Sequence, residues 1–238
     1  MSTAIASDYT APLLGGRHHF LLRRLHSLTG LVFGGYLIVH LLVNATIVQL
    51  GTVYQVQVDK IHSLPFLWGV EWLLIYIPIL FHTFYGIYIV FTGQPNVDRY
   101  PYPKNWFYTM QRVSAFVIVA FLFFHVFALK VGLFGPSLKF DEHAASFSVH
   151  QHMMVSGFIR WFVYPIGILA SCYHLANGFW TAAITWGLTI SKCGQRRFGY
   201  VCAVLFVFTF LCGMIALVAS TNPDLGTQKP QAVKVQGI

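Results

Sequence analysis

The stretch LHSLTGLVFGGYLIVHLLVNATIVQL, Leu25–Leu50, carries no Asp, Glu, Lys or Arg and places one histidine, His40, deep inside an apolar run. A helix crossing a bilayer needs about 20 apolar residues, so this segment is long enough to span. Four similar runs follow, at Leu67–Phe91, Trp106–Val131, Ser156–Trp186 and Phe198–Ala219. The whole chain agrees with them: 56% of its 238 residues are hydrophobic, 9% are charged and mean hydropathy is +0.64. Soluble domains carry roughly 25% charged residues. The expected fold is an all-α membrane protein, a bundle of five transmembrane helices. Residues 1–24 are expected to form a short tail, 25–219 the membrane domain, and 220–238 a second, polar tail. So little chain remains outside the spans that a soluble catalytic head with a flavin or nucleotide fold is excluded. No signal-peptide pattern and no repeat stand out.

The net charge of +8 is scattered in short clusters between the runs, which sets topology and does not indicate nucleic acid. The N-terminal segment and the second-to-third and fourth-to-fifth connections hold nine Lys and Arg against Asp8 and Asp98, whereas the opposite side holds six against five acids. The positive-inside rule therefore predicts a cytoplasmic N-terminus and an outer C-terminus. The four cysteines form no CxxC pair and no CxxCH signature, so an iron–sulfur cluster or covalently attached haem is excluded on this chain.

Of eleven histidines, His18, His19, His26, His62, His143, His150 and His152 lie in connections or at span ends, where water is expected to solvate them. The other four, His40, His82, His125 and His174, sit one in each of the first four spans. Polar groups at such depths are costly and point to function. With a rise of 1.5 Å per residue, His40 and His125 lie about 22 and 28 Å from the cytoplasmic side, and His82 and His174 about 22 and 26 Å from the outer side. This makes two layers, an outer pair His40/His125 and an inner pair His82/His174. Two imidazoles from facing helices can fill both axial positions of a haem, whereas zinc or di-iron sites want three or four ligands, often carboxylates. Two bis-histidine b haems stacked across the membrane are the expectation from spacing. A proton-relay transporter, a haem-free anchor and the cytochrome b anchor of another respiratory dehydrogenase remain alternatives.

The strings RRLHSLTG (Arg23–Gly30) with HLLVN (His40–Asn44), FHTFYGIYIVFT (Phe81–Thr92), QRVSAF with FFHVF (Gln111–Phe127), and YHLANGFW with ITWG (Tyr173–Gly187) occur in this order. Together they resemble the di-haem cytochrome b anchor of succinate dehydrogenases and fumarate reductases, in particular the single-subunit, five-helix type of succinate:menaquinone oxidoreductases. The resemblance implies the same four axial histidines, a distal haem on His40 and His125 and a proximal one on His82 and His174. It also implies a flavoprotein subunit with covalent FAD and an iron–sulfur subunit on the cytoplasmic face, with electrons passing through the haems to or from a quinone, menaquinone by family type. The physiological direction and the oligomeric state of the complex stay open. The outer segment Gly132–Val155, with its His150-x-His152, is the least familiar part and reads most simply as a solvated loop.

Quinone chemistry moves protons, and Glu71 is the one acid within a span. It precedes His82 by 11 residues, which on a regular α-helix returns to within about 20° of the same face. It is the candidate proton-exchanging residue near the outer haem, and burial is expected to raise its pKa; the alternative is a helix-capping or snorkelling glutamate. Asn44, one turn from His40, is a second lining candidate. Near the inner pair, Arg23, Arg24, His26, Ser27 and Arg112 are candidates for haem propionates, with topology signalling the alternative for the charges, and His26 and Ser27 are also candidates for an inner quinone site. Pro78 and Pro165 are expected to distort the second and fourth helices.

Overall fold

The computed structural model describes residues 16–49, 51–93 and 97–227. The expected tails therefore fall largely outside the described residues, as do Asp8, Lys229 and Lys234. In hydrocarbon every backbone N–H and C=O must bond within its own segment, and long apolar runs accordingly become long helices. These are α1 (Gly16–Ala45), α3 (Leu67–Thr92), α4 (Pro103–Val131), α6 (Ile159–Thr185) and α7 (Lys192–Ala219), with shorter α2 (Thr52–His62), α5 (Ala145–Met154) and α8 (Pro223–Thr227) between and after them. Four of the long helices are apolar enough to cross a membrane, and α6, joined to α5 through a 99° bend, makes the fifth. Phe84 and Val204, each 69% exposed, typify the apolar outer surface that lipid covers.

The helices reach further than the apolar runs. α1 begins at Gly16, so Arg23 and Arg24 stand on the helix, and α7 begins at Lys192, capped by Ser191 Oγ accepting from Gly194 N–H at 3.0 Å. Hydropathy marks where a helix meets lipid, and hydrogen bonding carries it on into the charged zone.

Two of the long helices are widened by a π turn immediately before a proline. Ile77 N–H donates to the Trp72 carbonyl and Tyr164 N–H to the Ile159 carbonyl, five residues back in each case. Pro78 and Pro165 have no N–H to offer the carbonyls of Leu74 and Trp161, and the extra residue of a π turn relieves the mismatch. The structure thus answers both prolines with local widening.

The bundle has two halves. α1 packs on α3, α4 packs on α6, and α7 lies against both α1 and α6, which touch each other only lightly. At the end away from the arginines, a cap closes the bundle: Ile47, Tyr54, Val58, Ala145 and Leu225 form one apolar cluster. Gln55 on α2 ties it together, donating to the Glu142 carbonyl at 2.7 Å and accepting from Ala145 N–H at 2.8 Å.

This cap corrects two readings of the sequence. The segment 132–155 is not a solvated loop, because α5 buries Ala145, Ser146, Ser148, His150, His152 and Met153. His150 and His152 are therefore shielded from water, His150 with its Nδ1 2.9 Å from the Ser220 carbonyl. Nor is the chain loose after Thr221, since α8 buries Leu225 completely; 228–238 lie outside the described residues.

Candidate functional site

The four span histidines meet in two pairs, each joining one half of the bundle to the other. His40 on α1 faces His125 on α4, with ring centroids 6.0 Å apart and planes at 90°. His82 on α3 faces His174 on α6 at 6.1 Å and 85°. Two imidazoles bound on opposite sides of one metal ion, at about 2 Å each and with centroids about 1 Å behind the nitrogens, stand about 6 Å apart. Among the described residues no group of three or more His, Cys, Asp or Glu converges. Each donor set is thus two imidazoles, which suits an ion whose other positions a macrocycle fills.

The ring protons have forced positions in the pair nearer the arginines. His82 Nδ1 lies 2.9 Å from the His26 carbonyl and His174 Nδ1 lies 3.1 Å from the Gln111 carbonyl. A carbonyl only accepts, so each Nδ1 carries the proton and each Nε2 keeps its lone pair for a metal. Ser114 Oγ adds a contact to His174 Nδ1 at 3.2 Å, and Asn177 Nδ2 holds Gln111 by donating to its Oε1 at 2.7 Å. Sequence reasoning passed over Gln111, Ser114 and Asn177. A spacing of three residues, Gln111 to Ser114 and His174 to Asn177, puts each couple on one helix face and was the available signal.

Close packing here requires glycine. A Cβ on Gly30 would stand 2.5 Å from the His82 ring, and one on Gly86 would stand 3.1 Å from His26. His26 itself stacks on His82 with centroids 4.0 Å apart and planes at 11°, and its buried Nδ1 has no partner among the described residues. Arg112 lies over the Tyr108 ring and bonds to its hydroxyl, leaving a buried Nε unpartnered. Arg24 donates to the Thr185 carbonyl at 2.6 Å and lies over Trp186, whose Nε1 donates to Ser27 Oγ at 2.9 Å. Unsatisfied buried donors beside a histidine pair suit an anionic group such as a propionate.

The far pair is held by side chains. Tyr36 hydroxyl lies 3.4 Å from His40 Nδ1, and Tyr164 hydroxyl lies 3.2 Å from His125 Nδ1. Asn44 Nδ2 donates to the His40 carbonyl at 2.7 Å, and its Oδ1 accepts from Tyr54 at 3.5 Å. Tyr54 lies in the cap outside the spans, where burial pushes its phenol above the usual tyrosine range and keeps it a donor.

Glu71 forms an ion pair with Lys130 at 3.0 Å, with the carboxyl side chain 25% exposed. The π turn Trp72–Tyr76 stands between Glu71 and His82, and its extra residue turns Glu71 by about 80° from the in-phase position of a regular helix. The carboxylate thus points to the α4 end instead of lying over His82.

No protein-family model matches the chain. It is similar to the succinate dehydrogenase cytochrome b558 subunit of Bacillus subtilis, with 33% identity over 208 residues that cover 87% of this chain and 99% of that protein. On a likeness of that identity and extent, the chain belongs to the succinate dehydrogenase cytochrome b558 subunit family.

Proposed function

We propose that this chain is the membrane anchor and electron-transfer subunit of a succinate:quinone oxidoreductase, holding two b haems on its own histidines. The near pair, His82 and His174, would hold the inner haem, and the far pair, His40 and His125, the outer one. The observation that carries this reading is the spacing of the opposed rings, 6.0 and 6.1 Å, across halves of the bundle that touch lightly. Bound haem supplies one-electron carriage at each layer.

The chain's own residues do the rest. The Nδ1 hydrogen bonds orient each imidazole, and glycine leaves room for close approach. Arg112, Arg24 and His26 supply cationic or polar donors at the arginine-rich end. This end is read as the cytoplasmic face, where an FAD-containing flavoprotein and an iron–sulfur subunit would dock. Succinate and fumarate would then interconvert on those partners, and this chain would never touch the dicarboxylate. The membrane is read as the cytoplasmic membrane, with the N-terminus inside and the C-terminus outside.

The quinone, read as menaquinone, is placed by this proposal at the far end. Glu71 would take and release its protons at the carboxylate, beside Lys130, and Asn44 would line the site. The inner alternative at His26 and Ser27 is less favoured, because Ser27 Oγ already accepts from Trp186. Fumarate reduction by a quinol would use the same residues in reverse. A pyridine haemochrome assay on the purified complex should give two b haems per chain; one or none overturns the reading.

A further inference from the structure

We propose that Tyr164 and His152 are positioning residues for His125, and that through it they set the reduction potential of the haem at the far pair. The inference rests on the haem reading above and gives a task to the cap helix α5, whose role sequence left open.

The geometry is a relay of three side chains. Tyr164 hydroxyl lies 3.2 Å from His125 Nδ1 and 2.7 Å from His152 Nε2. His152 is fully buried, and Tyr164 is nearly so. The 99° bend between α5 and α6 folds His152 back over Tyr164, and Arg160 on α6 braces the bend by donating to Met154 Sδ at 2.9 Å. Phe121 and Phe124 pack edge-on against the tyrosine ring and exclude water from it.

Each proton in this relay then has one place. If His125 Nε2 is the metal donor, a neutral imidazole carries its proton on Nδ1 and donates it to Tyr164 Oη. Tyr164 must therefore donate its own proton to His152 Nε2. His152 carries its remaining proton on Nδ1, which is buried with no hydrogen-bond partner among the described residues. Donation to His152 polarises the phenol oxygen and strengthens it as an acceptor. A better acceptor makes the axial imidazole more electron-rich, favours the ferric state and lowers the potential. In the near pair both Nδ1 groups go to main-chain carbonyls, with the Ser114 hydroxyl a secondary contact to His174 at 3.2 Å.

The test uses Tyr164→Phe and His152→Gln in the assembled, membrane-embedded complex. Both haems are titrated potentiometrically, and their low-spin ferric signals are followed by low-temperature electron paramagnetic resonance. Tyr164→Phe keeps the ring and removes the acceptor. It should raise one midpoint potential by on the order of tenfold in the reduction equilibrium, about 59 mV for a one-electron couple. The shifted haem should be the one missing from a His40→Ala complex, with the other unchanged. His152→Gln, which leaves the phenol in place, should shift the same haem in the same direction by less. It decides the matter alone if Tyr164→Phe does not assemble. Unmoved potentials and signals, equal movement of both haems, or movement only of the haem lost in His82→Ala would overturn the inference and leave the haem reading standing. An unsubstituted complex without two haems would instead overturn the haem reading.

Discussion

At the arginine-rich end, His82 and His174 aim their Nδ1 protons at main-chain carbonyls, whereas at the far end His40 and His125 face the hydroxyls of Tyr36 and Tyr164. Both pairs have nearly the same ring separation, so the difference lies in what stands behind the rings. Main-chain carbonyls come with the packing of α1 on α3 and α4 on α6, and no substitution removes them. The Tyr164 phenol is held from further away, by His152 of the cap helix α5, whereas Tyr36 stands one turn before His40 on α1. One end is therefore fixed by helix packing, and the other is adjustable by single side chains.

Removing a ligand gives the largest effect. His82→Ala or His174→Ala should lower the haem count from two to one and uncouple the remaining haem from reduction by succinate. His40→Ala or His125→Ala should also leave one haem, still reducible by succinate. Loss of the same haem from both sets, read in reduced-minus-oxidised spectra, would break the two-layer comparison.

Glu71→Gln comes next. Quinone turnover should fall by about 10²-fold or more, because an amide carries no proton. Haem content and succinate oxidation with an artificial acceptor should stay unchanged. Normal quinone kinetics would move the site to the other end, toward Ser27 and His26.

Gly30→Val tests the close packing of the near end. Its side chain would enter the space of the His82 ring, 2.5 Å from where a Cβ must stand, at a cost of about 1–3 kcal/mol. Weaker retention of the near haem on heating, with the far haem retained, is the expected outcome. The smallest effect belongs to Ser114→Ala, because His174 Nδ1 keeps the Gln111 carbonyl. The near haem's reduction equilibrium should move by about twofold at most, matching a net hydrogen-bond contribution of about 0.5 kcal/mol. A shift as large as that of Tyr164→Phe would erase the contrast between the ends.

Legibility from sequence followed the cost of burial. His40, His82, His125 and His174 stood out because an imidazole deep in an apolar run demands a reason. His150 and His152 did not, because they lie in a polar connection whose burial depends on α2 and α8 folding over it. Tyr164 looked like one more aromatic in an aromatic-rich chain. Its hydroxyl acquires meaning only when the bend before Pro165 sets it between His125 and His152. Glu71 was visible as the lone acid in a span, but its direction was not. Helical phase computed at a constant 100° per residue fails across a π turn, and Lys130 is 59 residues away in the chain.

The sequence by itself determined that this is an all-α membrane bundle and which family it belongs to. Hydrocarbon leaves helices few alternatives, and the histidine-bearing strings are local. Tertiary structure alone decided the ring separations, the tautomer each carbonyl imposes, the phenols set behind the far pair, the partner of Glu71 and the burial of the HxH motif. Those depend on side chains brought together from distant segments, through bends and widened turns whose angles no linear spacing encodes.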